Sequence, residues 1–323
     1  MSVNIGSLQR RLALLLPDSR AVLAGSTLEI ASPSYDAPRL ISATVLEGPV
    51  LRAHVVSGQA ENEFRAFLDG TQRSQVAMYV GVAPVIQGTV AAVVRERSAR
   101  RMQTWRSPLV ETRVYAPRGM MPAATWNTLV REFDASLVDT TDVIADVGAH
   151  PFALRDAAIH KVQEHRERLE HRLAEAWCNG EERTLFIDGG ISGSDRVAGS
   201  TQTVGVVKSH RTLYAEGEAL GTVLSLGERE RSSVFRVTSP KRTTVASWYL
   251  RLRNPAGFDP MWGLVRAEVA MPAAHEMDRM GDRADEVSRQ ILAEVSPLAL
   301  PDARWDKMVY GVRDCEEFLR AVQ

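Results

Sequence analysis

The sequence predicts an α/β protein built on a mixed sheet with helices packed against it, and three observations carry that expectation. From residue 64, "FRAFLDG", "QVAMYVGVAPVIQGTVAAVVRER" and "SPLVETRVYAP" follow one another as strand-like stretches with short turns between them, the pattern of an antiparallel meander. A helical stretch from about 122 to 178 comes next, in two or three pieces. After it, "RTLFIDGG" (183–190) is a short apolar strand of the kind that sits in the middle of a sheet. Meander, helical crossover, central strand and trailing helices together describe a mixed sheet.

The elements are justified in order. Residues 5–16 predict a short helix, and 20–56 read as short strands ("AVLAGSTLEIAS", "PRLISATVL", "PVLRAHVV") broken by Gly and Pro. Residues 1–62 are therefore expected to form a small β-rich accessory module that closes in the polar "SGQAENE", with the main domain at 63–323 and a helical insertion at about 120–180. Within that insertion, 151–177 places Leu154, Ala158, Val162, Leu169, Leu173 and Trp177 close to one helix face, with Pro151 in the first turn. "TVGVVKSHRTLY" (203–214), "ASWYLRLR" (246–253) and "WGLVRAEVAM" (262–271) supply further strands, and helices at about 279–295 and 311–322 close the chain.

Composition narrows the class of function. With 45% hydrophobic and 24% charged residues and a net charge of −1, the chain reads as soluble and globular, with no overall pull toward nucleic acid or membrane. Only four of the 39 basic residues are lysine; arginine suits bidentate phosphate contacts, though a biased genome gives the same excess. Cys178 and Cys315 are too far apart for a CxxC or zinc motif, which suggests a reducing compartment. The N-terminal "QRRLALLLPD" is too short in its apolar run for an export signal, and no stretch approaches the ~20 apolar residues of a membrane span. A cytoplasmic protein is the expectation.

Two probable strands run into Asp-Gly, at Asp69 and Asp188. Asp-Gly is the commonest hairpin-turn dipeptide, and each could be only a turn. In a mixed sheet, however, the first meander strand and the strand after the crossover lie side by side, which would make these aspartates neighbours. Two carboxylates that close repel each other unless a cation sits between them. Oxygen ligands select Mg²⁺ or Mn²⁺, and such ions, in pairs roughly 4 Å apart, activate water and stabilise phosphodiester cleavage. Glu170, beside the apolar line Leu169–Leu173, is the helix acid placed to join them; Glu164, Glu167 and Glu175 read as solvated helix charges.

Four short matches, in this order, resemble the NurA family of nucleases. They are "FLDGTQRS", "RERLEHRLAEAW", "TLFIDGGIS" followed by "VGVVKSH", and "WGLVRAEV", and the resemblance spans most of 64–323. It implies a ribonuclease H-like fold, a homodimer, and partnership with a HerA-like hexameric ATPase that delivers DNA. Residue by residue, it implies Asp69, Glu170 and Asp188 as ligands of Mn²⁺ or Mg²⁺, Lys208 as a phosphate or metal-site neighbour, and Arg266 with Glu268 as a supporting pair. Thr71 and Gly190 are mild departures. The larger departure is the family's terminal histidine: no histidine follows His275, and "DKMVYGVRDCEEFLRA" (306–321) stands in its place. Asp314 is the expected replacement ligand, with Glu316 competing.

The expected function is a metal-dependent DNA nuclease, endo- or exonucleolytic, in DNA-end processing or defence against invading DNA. The alternative is a catalytically inactive, nuclease-like scaffold that binds and regulates the translocase. An actin-like phosphotransferase is a third reading, but "DGTQRS" is poor in the glycines that cradle a nucleotide.

Overall fold

The computed structural model describes residues 4–21, 37–59, 63–99, 101–143, 150–295 and 309–322. Its centre is the meander β5 (Ala66–Val80), β6 (Ala83–Ser98) and β7 (Arg101–Ala116), paired antiparallel throughout. A two-residue turn at Gly81-Val82 joins the first two strands, and Gly81 takes the left-handed φ of 59° that the turn requires. The chain then forms α2 (Ala123–Phe133), a short strand β8 (Leu137–Asp139) and the long helix α3 (Pro151–Gly180). It returns as β9 (Leu185–Asp188), parallel to β5, and β10 (Thr203–Val207), parallel to β9. The hairpin β14 (Val245–Arg251) and β15 (Leu264–Ala270) adds to β10 in antiparallel fashion. Along the sheet the order runs β14-β15-β10-β9-β5-β6-β7-β8, so the fold is α/β with a mixed sheet, as expected.

Helices cover both faces of this sheet. On one face α3 buries Leu154, Ala158, Val162, Leu169, Leu173 and Trp177, the stripe predicted from its period, and its inner residues meet Leu68, Val90 and Ile187. On the other, α6 (Met280–Glu294) and α7 (Tyr310–Val322) pack Val287, Val312 and Cys315 against Phe67, Phe186 and Trp248. This is the period-2 alternation of a sheet buried on both sides: Phe67 faces α7 and Leu68 faces α3.

Two expectations need correction. The first strand does not end at Asp69: β5 continues for 15 residues, and Asp69 and Gly70 pair with Val93 and Ala92 in mid-strand. Gly70 stays out of the left-handed region, so its Asp-Gly is extended chain and no turn, whereas Asp188 does end its strand and Gly189 turns at a φ of 138°. Nor do the described parts of 1–62 form a β-rich module with a sheet of its own. The helix α1 (Ile5–Leu15) packs Leu8 and Leu12 against Met78 and Val85 of the meander. The short strands β1 (Arg20–Ala21), β2 (Arg39–Leu40), β3 (Thr44–Val45) and β4 (Ala53–Val55) pair instead with β5, β11 (Thr212–Leu213), β13 (Phe235–Val237) and β12 (Glu230–Ser232). Short strands on this scale cannot satisfy their own backbone groups or bury a face: β1, β3 and β4 join the larger sheet, and β2 forms a separate two-stranded sheet with β11. Buried charge fixes the junction: Arg231 of β12, 2% exposed, donates to both Glu47 and Asp285.

Candidate metal centre

Strand register sets the centre. β5 and β9 pair in parallel at Phe67↔Phe186 and Leu68↔Ile187, so the next residues on each strand are Asp69 and Asp188. Alternation turns both toward the face covered by α7. That helix comes close because Gly311 lies against the Phe67 ring, where any side chain would collide, and because the Cys315 thiol donates to the Phe67 carbonyl at 3.4 Å. Glu316 is carried in with it. One carboxylate oxygen from each of Asp69, Asp188 and Glu316 lies within 4.8 Å of the others.

The electrostatics of this trio are strained. Asp69 is only 7% exposed, and its carboxyl titrates well above the usual range. Burial is the main cause, and the negative charges of Asp188, Glu170 and Glu316 add to it, while Lys208 opposes it. Lys208 donates to Asp188 Oδ2 at 2.9 Å, and the Asp69 carboxylate accepts from the Gly70 amide at 2.8 Å.

Glu170 reaches the centre from the α3 side and stands just outside the closest trio. Its carboxylate folds over Gly70, where a Cβ would overlap it, which explains the glycine after Asp69. Burial pushes Glu170 up to about 7; the nearby Arg166 opposes this, with Nε at 3.3 Å, and Glu167 and Asp188 add to it. Its neighbours on the helix have ordinary partners: Glu164 pairs with Lys161, Glu167 accepts from Gln163, and Glu175 accepts from Ser194.

Arg266 and Glu268 form a buried ion pair at 2.6 Å on the opposite face of the sheet from the trio. Glu268 Oε2 accepts from the Ile191 amide at 2.9 Å, and Arg266 donates to Ser247 at 3.0 Å with its guanidinium over the Tyr214 ring. They hold the corner that follows Asp188. Gly190 is required there because a Cβ would stand 2.9 Å from Glu268 Oε2.

Asp314, the expected C-terminal ligand, is not in the cluster. It accepts from Arg95 Nε at 2.6 Å. Asp314 and Glu316 are two residues apart on α7, about 200° around a helix, so when one faces the aspartates the other must face away. Glu316 is the one that does. Its signal in the sequence is its place beside the apolar line Val312–Cys315–Leu319, which the helix buries.

Beside the trio, between α3 and the corner after Asp188, lies a cavity of about 120 Å³ whose wall includes Glu170, Asp188 and Gly190 together with Arg166, His171 and Arg242. Arg166 and His171 lie on α3, whereas Arg242 comes from a distant loop that no local pattern connects to them. A larger cavity, about 580 Å³, lies between α1 and β7 beside Glu111 and Arg113 and takes in neither the trio nor Glu170. Among the described residues, no helix is long and apolar enough to cross a membrane.

Comparison with protein-family models and with curated proteins gave no match to this chain.

Proposed function

We propose that the chain is a Mn²⁺- or Mg²⁺-dependent DNA nuclease with a ribonuclease H-like fold, related to the NurA family and working in the cytoplasm with a HerA-like hexameric ATPase. The observation that carries this reading is the trio itself: Asp69, Asp188 and Glu316 converge within 4.8 Å in a poorly solvated place. Three carboxylates gathered there are destabilising unless a cation joins them, and a donor set made only of oxygen fits a hard divalent ion. Such an ion, when bound, supplies Lewis-acid activation of a phosphodiester and of the attacking water. The strand order and directions, an antiparallel meander β7-β6-β5 followed by parallel β9 and β10, support the ribonuclease H-like part of the proposal.

The chain's own residues have separate tasks in this reading. Asp69, held rigidly in mid-strand, and Asp188, at a strand end, are the fixed ligands; Glu316 completes the set from α7. Glu170, with a pKa of about 7, is suited to exchange a proton with water at the edge of the centre near neutral pH. Lys208 neutralises Asp188 and can turn to a phosphate oxygen. Arg266 and Glu268 act only by holding the corner after Asp188. Glu316 supplies the position that the family's terminal histidine would fill, so the departure at the C-terminus leaves the ligand count intact. A homodimer and delivery of DNA ends by the translocase follow from the resemblance.

One observation favours the second reading, a scaffold without catalysis. The Lys208 ammonium at 2.9 Å from Asp188 is an internal cation that answers part of the repulsion with no metal at all. Incubating the purified protein, alone and with its translocase, with end-labelled DNA and Mn²⁺ separates the two. Cleavage that Asp69→Asn abolishes supports the nuclease; cleavage that survives this change refutes the site. No cleavage by a chain that still binds the ring selects the scaffold.

A further inference from the structure

We propose that the cavity between α3 and the corner after Asp188 is a binding subsite for a backbone phosphate of the substrate strand, separate from the phosphate at the carboxylate trio. This rests on reading the trio as a nuclease centre, and it adds a second anchoring point for the nucleic acid. The cavity shares Asp188 and Glu170 with the centre, so a strand lying across the ends of β5 and β9 passes from one to the other.

Three features suit it to a phosphate. Its volume of about 120 Å³ is enough for a tetrahedral oxyanion. Arg166 and Arg242 bring guanidinium groups to its wall from two different parts of the chain, and the His171 ring, which burial favours in its neutral form, lies beside them. Arginine is the side chain whose fork of N–H donors matches phosphate oxygens. The third feature is an unsatisfied donor: Arg166 Nε is buried and makes no hydrogen bond, since its approach to Glu170 at 3.3 Å lacks hydrogen-bond geometry. A buried N–H left in this state is destabilising, and a ligand oxygen in the cavity would satisfy it. The wall carries three acids, and each has another partner: Asp188 accepts from Lys208 at 2.9 Å. Glu167 is turned to Gln163 at 3.1 Å, and Glu170 lies over Gly70. The wall also carries the backbone of Gly189 and Gly190, where no side chain blocks an approaching strand, and the His171 ring rests on Gly193.

The test is a phosphate-neutralisation scan. A fluorescent single-stranded oligonucleotide is made in a series, each member with one methylphosphonate linkage, and its binding to the Asp69→Asn protein is measured by anisotropy in EDTA. One linkage, whose neutralisation weakens binding about tenfold, is expected. In the Asp69→Asn/Arg242→Gln protein that linkage should no longer matter, and the slope of log K against log salt should be shallower by about 0.7, one phosphate contact on a single strand. Arg242 is exposed, so this variant folds even if Arg166→Gln does not. A flat scan, no binding at all, or a sensitive linkage that persists unchanged in the Arg242→Gln background overturns the subsite. Failure of the centre is read separately, as cleavage by the otherwise wild-type chain that Asp69→Asn leaves intact.

Discussion

Replacing Glu170 by glutamine tests the electrostatics of the centre without a substrate. Burial raises the Glu170 carboxyl from 4.5 to about 7 in the folded protein. A group whose folded pKa lies above its unfolded value stabilises the fold below the unfolded pKa, and that contribution is lost as pH rises through the folded one. Metal-free wild type should therefore lose this contribution between pH 4.5 and about 7, and Glu170→Gln, which still carries the raised Asp69 but cannot ionise at 170, should lose correspondingly less. At about 1.36 kcal/mol per pH unit, the gap amounts to about 3 kcal/mol. With about 2 cal/mol/K of unfolding entropy per residue, this corresponds to roughly 4–5 °C in melting temperature for a chain of this size. Thermal unfolding of both proteins in EDTA, from pH 5 to pH 8.5, measures it. The variant should match wild type at the acid end and melt several degrees higher above pH 7. Saturating Mn²⁺ should then narrow the gap at pH 8, because a cation at the trio favours the ionised Glu170 carboxylate beside it. A difference that is independent of pH, or a variant less stable than wild type at pH 8 without metal, refutes the argument.

Other outcomes follow from the same geometry. Asp188→Asn should lower Mn²⁺-dependent cleavage by at least about 100-fold and abolish the rise in melting temperature on adding Mn²⁺, since it removes a ligand of the proposed ion. Glu316→Gln should weaken Mn²⁺ binding in calorimetry whereas Asp314→Asn should not, its effect being limited to a loss of under about 1 kcal/mol from its partly exposed pair with Arg95; the opposite ranking would restore Asp314 as the ligand. Glu268→Ala, which leaves Arg266 buried without its partner, should destabilise the protein by about 3–5 kcal/mol in urea unfolding. Gly70→Ala should displace the Glu170 carboxylate, and its melting curves should then lose the pH-dependent difference from Glu170→Gln.

The residues that were legible in the sequence are those whose signal is local. The α3 stripe from Leu154 to Trp177 is written in a 3.6-residue period, and the meander in its apolar runs and turns. Asp69 and Asp188 could be singled out because an acid at an apolar strand is anomalous wherever it occurs. The Asp69 strand was nevertheless misread at its end. Asp-Gly is a turn signal in isolation, and what keeps β5 extended there is pairing with β6, which no short window contains. The N-terminal strands were visible as strands, yet the partners of β2, β3 and β4 lie some 170 to 190 residues further on, so a separate module and strands added to distant partners look alike in sequence.

The amino-acid sequence alone was enough for an α/β fold, for the order of its main elements and for the pair of aspartates, because propensity and periodicity act over a few residues. Tertiary structure chose Glu316 over Asp314. Both sit on one helix, and only the docking of α7 against Phe67, through Gly311 and Cys315, sets which of its faces meets the strands. It also brought Arg242 beside Arg166 and His171, since a cavity wall assembled from α3 and a distant loop exists only once the sheet between them has formed.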